Sequence, residues 1–165
     1  MCDPVEQDFH AADRFDDPQI GTEDILLRHL CVPVQVMPTS LGLKISDQAF
    51  KARKIDPGTS VDLDCLLKKC GIKGIDRKGL MPNAYALVAV TAGAAREHSG
   101  GVAWTPKPEE PELGGFAAKP NPFHGEIIRP MNNAGIRNLA AKAELLWVKS
   151  DVMLGPFEGR PPINH

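Results

Sequence analysis

Between Asn83 and Pro130 strand-forming apolar residues alternate with polar groups, and the other elements read as arranged around that stretch. Tyr85 to Val90 is an apolar run that predicts a strand. A small-residue turn (Thr91 to Ala95) and a polar corner (Arg96, Glu97, His98) follow it. Val102 to Trp104 predicts a second short strand. After a Pro/Glu-rich loop, Asn121-Pro122-Phe123-His124-Gly125-Glu126-Ile127-Ile128 predicts a third.

Outside that stretch the periodicity turns helical in places. Thr22 reads as the cap of a short helix that carries Ile25, Leu26, Leu27 and Leu30 inward, with Arg28 and His29 beside them. Val32 to Met37 alternates between Pro33 and Pro38, the signature of an edge strand. Ser46 is placed to cap a helix from Asp47 to Arg53, with Ala49 and Phe50 facing inward, and Asp56-Pro57-Gly58 predicts a turn. Thr59-Ser60-Val61-Asp62 opens a further helix, in which Leu63, Leu66, Leu67 and Cys70 form one stripe ended by a left-handed Gly71. Asn132 or Asn133 caps a last helix from Gly135 to about Lys149, with Ile136, Leu139, Ala140, Ala143, Leu146 and Trp147 on its apolar side.

The sum is one α+β domain. A small mixed or antiparallel sheet, from about residues 32–37, 85–91, 101–104 and 123–129, packs against helices near 61–70 and 135–149. Residues 1–20 read as a mobile acidic arm, 21–152 as the globular domain and 153–165 as an extended tail.

Composition sharpens this reading in three ways. Fifteen glycines and fifteen prolines among 165 residues favour short elements over a long-helix bundle. No apolar run approaches the roughly 20 residues that cross a bilayer, and the acidic N-terminus shows no secretory pattern, so a cytoplasmic protein without a membrane partner is expected. Cys2, Cys31, Cys65 and Cys70 are scattered with no CxxC pair, which predicts reduced thiols rather than a disulfide framework or zinc. The charge is also segregated: residues 1–24 carry eight acids against Arg14, and residues 51–78 carry eight bases against four acids. Such blocks attract each other or serve separate partners.

Several polar residues are candidates for chemistry. His124 and Glu126 are two apart on a predicted strand, so they share a face and can converge on a metal or substrate; no cysteine follows Glu126, which excludes the zinc-deaminase signature. Asp62 and Asp64 form a DxD pair that suits either a divalent metal or a first helical turn. Arg96, His98 and His124 in one cleft would suit a phosphate or carboxylate, since Arg forks onto oxygens and His exchanges protons near neutral pH. Against each stands a plainer role: a buried histidine at the Asn121-Pro122 turn, a capping aspartate, a polar strand end. Gly-Ile-Lys-Gly lacks phosphate-loop spacing, and no aromatic residue interleaves the bases from Lys51 to Lys78, so nucleic acid gains only phosphate contact.

The segments SDQAF (46–50), TSVD (59–62), TAGAAR (91–96) and NPFHGEI (121–127) resemble an order carried by a family of short uncharacterised bacterial proteins: S-x-x-A-F, S-V-D, T-A-G-x-x-R, N-P-x-H-x-x-I. The resemblance names no activity and implies that Ser60, Arg96 and His124 belong to one site. Three functions remain as expectations. The preferred one is a small cytoplasmic bacterial accessory protein that binds another protein. The second is a hydrolase or nuclease whose cofactor is a divalent metal held by His124, Glu126 and Asp62. The third is a metal-free transferase or phosphoesterase in which Arg96 holds an anion, His124 or His98 is the acid or base, and Ser60 shares the site.

Overall fold

The computed structural model describes residues 15–31, 35–52, 54, 58–81, 84–107 and 120–149. Its strands are β1 (Ile25–Leu30), β2 (Val36–Thr39), β3 (Gly42–Ile45), β4 (Gly58–Leu63), β5 (Ala86–Thr91), β6 (Gly101–Trp104), β7 (His124–Ile128) and β8 (Glu144–Val148). Three helices, α1 (Asp64–Lys69), α2 (Ala92–Arg96) and α3 (Asn133–Lys142), and a 3-10 turn (Gly74–Arg77) complete the described elements. Six strands make one sheet in the order β6-β7-β4-β1-β5-β8, and β2 and β3 form a separate hairpin ribbon. Every pairing is antiparallel. The α+β class expected from the sequence is the class observed.

Both faces of the sheet are covered. Leu26, Leu30, Val61, Leu63, Val88, Val90, Val102 and Ile127 share one core with Ala92 and Ala95 of α2, Ile136, Leu139 and Ala140 of α3, and Phe50. Leu27, Leu87 and Ala89 lie on the opposite face with Leu67 of α1 and Phe123. Central strands buried on both sides need apolar residues at successive positions, so they read as runs rather than alternations. This is why Ile25–Leu30, expected as a helix, is β1.

Other boundaries move for related reasons. The helix expected from Thr59 starts only at Asp64, because Gly58–Leu63 is β4, hydrogen-bonded between β7 and β1. Its end is as expected: Gly71 has φ of +69°, and Ile72 N donates to Leu67 O at 2.9 Å. Asn132 does cap α3, its side chain accepting from Gly135 N at 2.8 Å, but α3 stops at Lys142. The consecutive apolar residues Leu145 to Val148 cannot all lie on one helical stripe; they pair with β5 as strand β8. Thr91 accepts from Ala94 N at 3.1 Å and starts α2 where a turn was expected. Asp47 to Phe50 forms turns rather than a helix, although Ala49 and Phe50 are fully buried as anticipated. The strand expected over 32–37 is seen from Val36 and belongs to the ribbon, not to the sheet; Val32 to Val34 lie outside the described residues.

Residues 15–20, assigned to the mobile arm, are docked. Asp17 N donates to Val102 O at 2.8 Å, Asp16 Oδ1 accepts from Val102 N at 2.9 Å, and Ile20 enters the core. Residues 1–14 of the arm, the Asp56-Pro57 turn, the loop 108–119 and the tail 153–165 lie outside the described residues. Cys70 is disulfide-bonded while Cys31 and Cys65 are free, which corrects the expectation of four reduced thiols; spacing along the chain does not report proximity in space. Among the described residues no helix is long and apolar enough to cross a membrane.

Candidate functional site

Register builds a polar cluster on the face that α1 partly covers. β4 and β7 pair so that Asp62 stands opposite His124, and Ser60 opposite Glu126. Directly opposed residues point to the same side of a sheet, and β1 sets Leu27 opposite Asp62, with His29 one alternation further on. Asp62, His124, Glu126 and His29 therefore share one face, and all four are buried.

Asp62 is the hub. Its Oδ2 accepts from His29 Nε2 at 2.9 Å and from Arg77 Nε at 3.0 Å, and its Oδ1 accepts from Asn121 Nδ2 at 2.8 Å. Arg77 reaches in from the 3-10 turn, donates to Asn121 Oδ1 at 3.3 Å and lies 5.5 Å from the Phe123 ring centre. Burial by itself would raise the pKa of Asp62. The hydrogen bond from His29, the Arg77 charge and the Asn121 amide outweigh it and hold the carboxyl well below the usual carboxylate range.

The acceptors fix the tautomers of both rings. His124 Nδ1 lies 2.7 Å from Thr105 O and 3.0 Å from Thr105 Oγ1. A carbonyl can only accept, so Nδ1 carries the proton and Nε2 holds a lone pair. His29 donates from Nε2 to the Asp62 carboxylate in the same way. The other ring nitrogens, His124 Nε2 and His29 Nδ1, are buried without a hydrogen-bond partner. Burial first, and the Lys107 charge second, push His124 below its ordinary value, against the opposing pull of Thr105 O, Glu126 and Asp62. The arrangement thus presents two imidazoles, each oriented by a fixed acceptor and each with one unpartnered ring nitrogen, beside an ionised carboxylate.

Arg96 and His98 do not join this cluster. α2 packs on the opposite face of the sheet, where Arg96 donates to Asp16 Oδ1 at 2.8 Å, Asp17 O at 2.8 Å and Ile20 O at 2.6 Å. A Cβ at Gly135 of α3 would meet His98 Cβ at 2.9 Å, so that histidine lies against the start of α3. Arg96 does line an open surface depression of about 710 Å³ with Thr22, Glu23, Glu97 and Lys142, but Ser60, His98 and His124 are absent from its walls. The four expected catalytic residues therefore split between two faces, because Thr91 turns the chain into α2 on the far side from His124. Ser60 is two positions along β4 from Asp62 on the His124 face, and its carbonyl accepts from Arg28 Nη1 at 2.9 Å.

For the expected metal set, His124, Glu126 and Asp62 do share a face. Among the described residues, however, no group of three or more His, Cys, Asp or Glu side chains is arranged to hold a metal ion. Asp62 directs both oxygens at His29, Arg77 and Asn121. Asp64, the other half of the DxD pair, bonds Lys68 one turn away at 2.9 Å on α1, since consecutive alternate positions are split between a strand and a helix.

Sequence reasoning missed Arg77, Asn121 and Thr105 as members of the cluster, and weighed His29 only as an anion or cofactor contact beside Arg28, not as a partner of Asp62. A local signal existed for Asn121, in the turn before His124. The others become neighbours through strand order. The chain is thus an antiparallel α+β domain with a buried Asp–His–Arg–Asn network under one face. Comparison with known proteins returns no matching family, no matching curated protein and no matching solved structure.

Proposed function

We propose that the protein is a small bacterial accessory protein that binds another protein through the segment Lys73–Met81. The observation that carries this reading is exposure: Ile75, Leu80 and Met81 are 38%, 59% and 47% exposed within seven residues. Exposed Lys73 and Lys78 lie between and beside them. Large apolar side chains close together on a surface and rimmed by charge are the composition of a protein contact, and a rim of two lysines against exposed Asp76 favours a partner with mainly acidic residues around an apolar centre. Arg77, drawn inward onto Asp62 and Asn121, anchors the segment from beneath.

The test is capture by the full-length chain from the organism that encodes it, followed by binding measurements with the purified partner. Leu80→Asp with Met81→Asp should weaken that binding by at least about tenfold, since a few central apolar residues dominate such contacts. No partner at physiological salt, or one indifferent to both substitutions, ends the reading. A nucleic acid as the captured species, held by the lysines with steep salt dependence and insensitive to the double substitution, would replace it.

A metal-free transferase or phosphoesterase is the second reading, favoured by the unpartnered ring nitrogens His124 Nε2 and His29 Nδ1. It would use His124 as the base, without Arg96. Phosphoester turnover by the full-length protein that His124→Ala abolishes supports it; no turnover removes it.

A further inference from the structure

We propose that the β8 edge pairs with β8 of a second copy of this chain, in antiparallel register about a two-fold axis between Leu146 and Trp147. This goes beyond the surface at Lys73–Met81 and does not rest on it. The two edges of the sheet differ. At β6 all four residues are buried, and Asp16 and Asp17 take up the outward N–H and C=O of Val102. At β8, Leu145, Leu146, Trp147 and Val148 are only half-buried and Glu144 is exposed. Among the described residues, no backbone group bonds to Glu144–Val148 from the outer side. An open edge of this kind is a template for another strand.

The occupant follows from a bulge. β5 pairs with β8 as Ala86–Val148, Leu87–Trp147, Val88–Leu145 and Ala89–Glu144, so Leu146 is the extra residue. Leu145 and Val148 consequently pack with one core, and Leu146 and Trp147 together with the other. Glu144, opposite Ala89, and Lys149, next to Val148, belong to the second face. From Glu144 to Lys149 the faces therefore run second, first, second, second, first, second, which is the same read in either direction.

A regular strand alternates, and pairing it with itself about a point between two residues sets opposite faces against each other. The bulge removes that mismatch. In the two-fold register Leu145 meets Val148 of the second copy, Leu146 meets Trp147, and Glu144 meets Lys149, each on a matching face. The interface is isologous, with every contact made twice. The apolar pairs cover both half-buried faces, and the outermost pair is of opposite charge.

The experiment uses the full chain with the free thiols Cys31 and Cys65 alkylated. Sedimentation from micromolar to millimolar concentration should show a dimer. Glu144→Lys and Lys149→Glu should each weaken it by about tenfold at low salt, because each sets like charges opposite each other at two sites. Glu144→Lys with Lys149→Glu should restore it to within about threefold. Both residues are exposed, so folding should be retained, and circular dichroism checks this. A carbodiimide applied to mixed isotope-labelled and unlabelled protein should join Glu144 of one copy to Lys149 of the other. A monomer throughout the range, a dimer unaffected by either single swap, or a swapped pair that fails to restore association would overturn the proposal. Loss of partner capture by the Leu80→Asp, Met81→Asp protein is independent of all these outcomes.

Discussion

Asp62 gathers an imidazole, a guanidinium and an amide under the sheet at hydrogen-bond distance. Removing its carboxylate would leave Arg77 facing a space without a counter-charge, the situation in which a broken buried pair costs most. Asp62→Ala is expected to lower unfolding stability by about 3–5 kcal/mol, a large part of the roughly 5–15 kcal/mol typical of a domain. Urea unfolding of the two proteins measures it, and a loss below about 1 kcal/mol would show the network to be incidental. His124 gives a pH signature of its own. The fold holds the ring below its ordinary value of 6.5, so the unfolded chain takes up that proton first as pH falls. The contribution is complete above 6.5 and is lost as pH drops through the lower folded value. His124→Gln should therefore flatten the fall in melting temperature as pH drops below 6.5, while the Asp62 contribution persists to more acid conditions. An unchanged slope would show that the titrating group is another residue.

Among the elements, α2 has the largest consequence for its length. Its five residues carry Arg96, which ties Asp16, Asp17 and Ile20 along the β6 edge. Arg96→Ala leaves the carbonyls of Asp17 and Ile20 without this donor and should cost about 2–4 kcal/mol in denaturant unfolding. Asp16→Asn, which keeps an acceptor for Val102 N and leaves the two carbonyl bonds in place, should cost less. Equal losses in the two variants would place the energy in the ion pair instead. The α3 cap was legible, Asn132 being an oxygen-bearing residue at the right offset, whereas Thr91 was read as opening a turn. The end of α3 was not: Ala143 is compatible with helix by propensity, and only the place offered beside β5 turns Glu144–Val148 into a strand. Propensity differences of a few tenths of a kcal/mol give way to a ladder of hydrogen bonds and apolar contacts.

At the scale of the whole molecule, the chain by itself determined the α+β class, the strands near 85–91, 101–104 and 123–129, and the inward side chains of Ala49, Phe50, Leu67 and Ile136. Those follow from local periodicity and from cap and turn chemistry, which are properties of neighbouring residues. The adjacency of His124 and Glu126 on one face was equally legible, because a strand alternates wherever it sits. What only the tertiary structure decided is which strands are neighbours. The order β6-β7-β4-β1-β5-β8 makes β1 and β4 central, and burial on both faces gave Ile25–Leu30 and Thr59–Leu63 patterns that mimic helices. The same order brings His29, Asp62, Arg77 and Asn121 together across gaps of up to 59 residues and sends Arg96 to the other face. A sequence records which side chains lie on one side of an element; long-range pairing decides which elements meet, because that choice minimises exposed edges and apolar area over the whole chain at once.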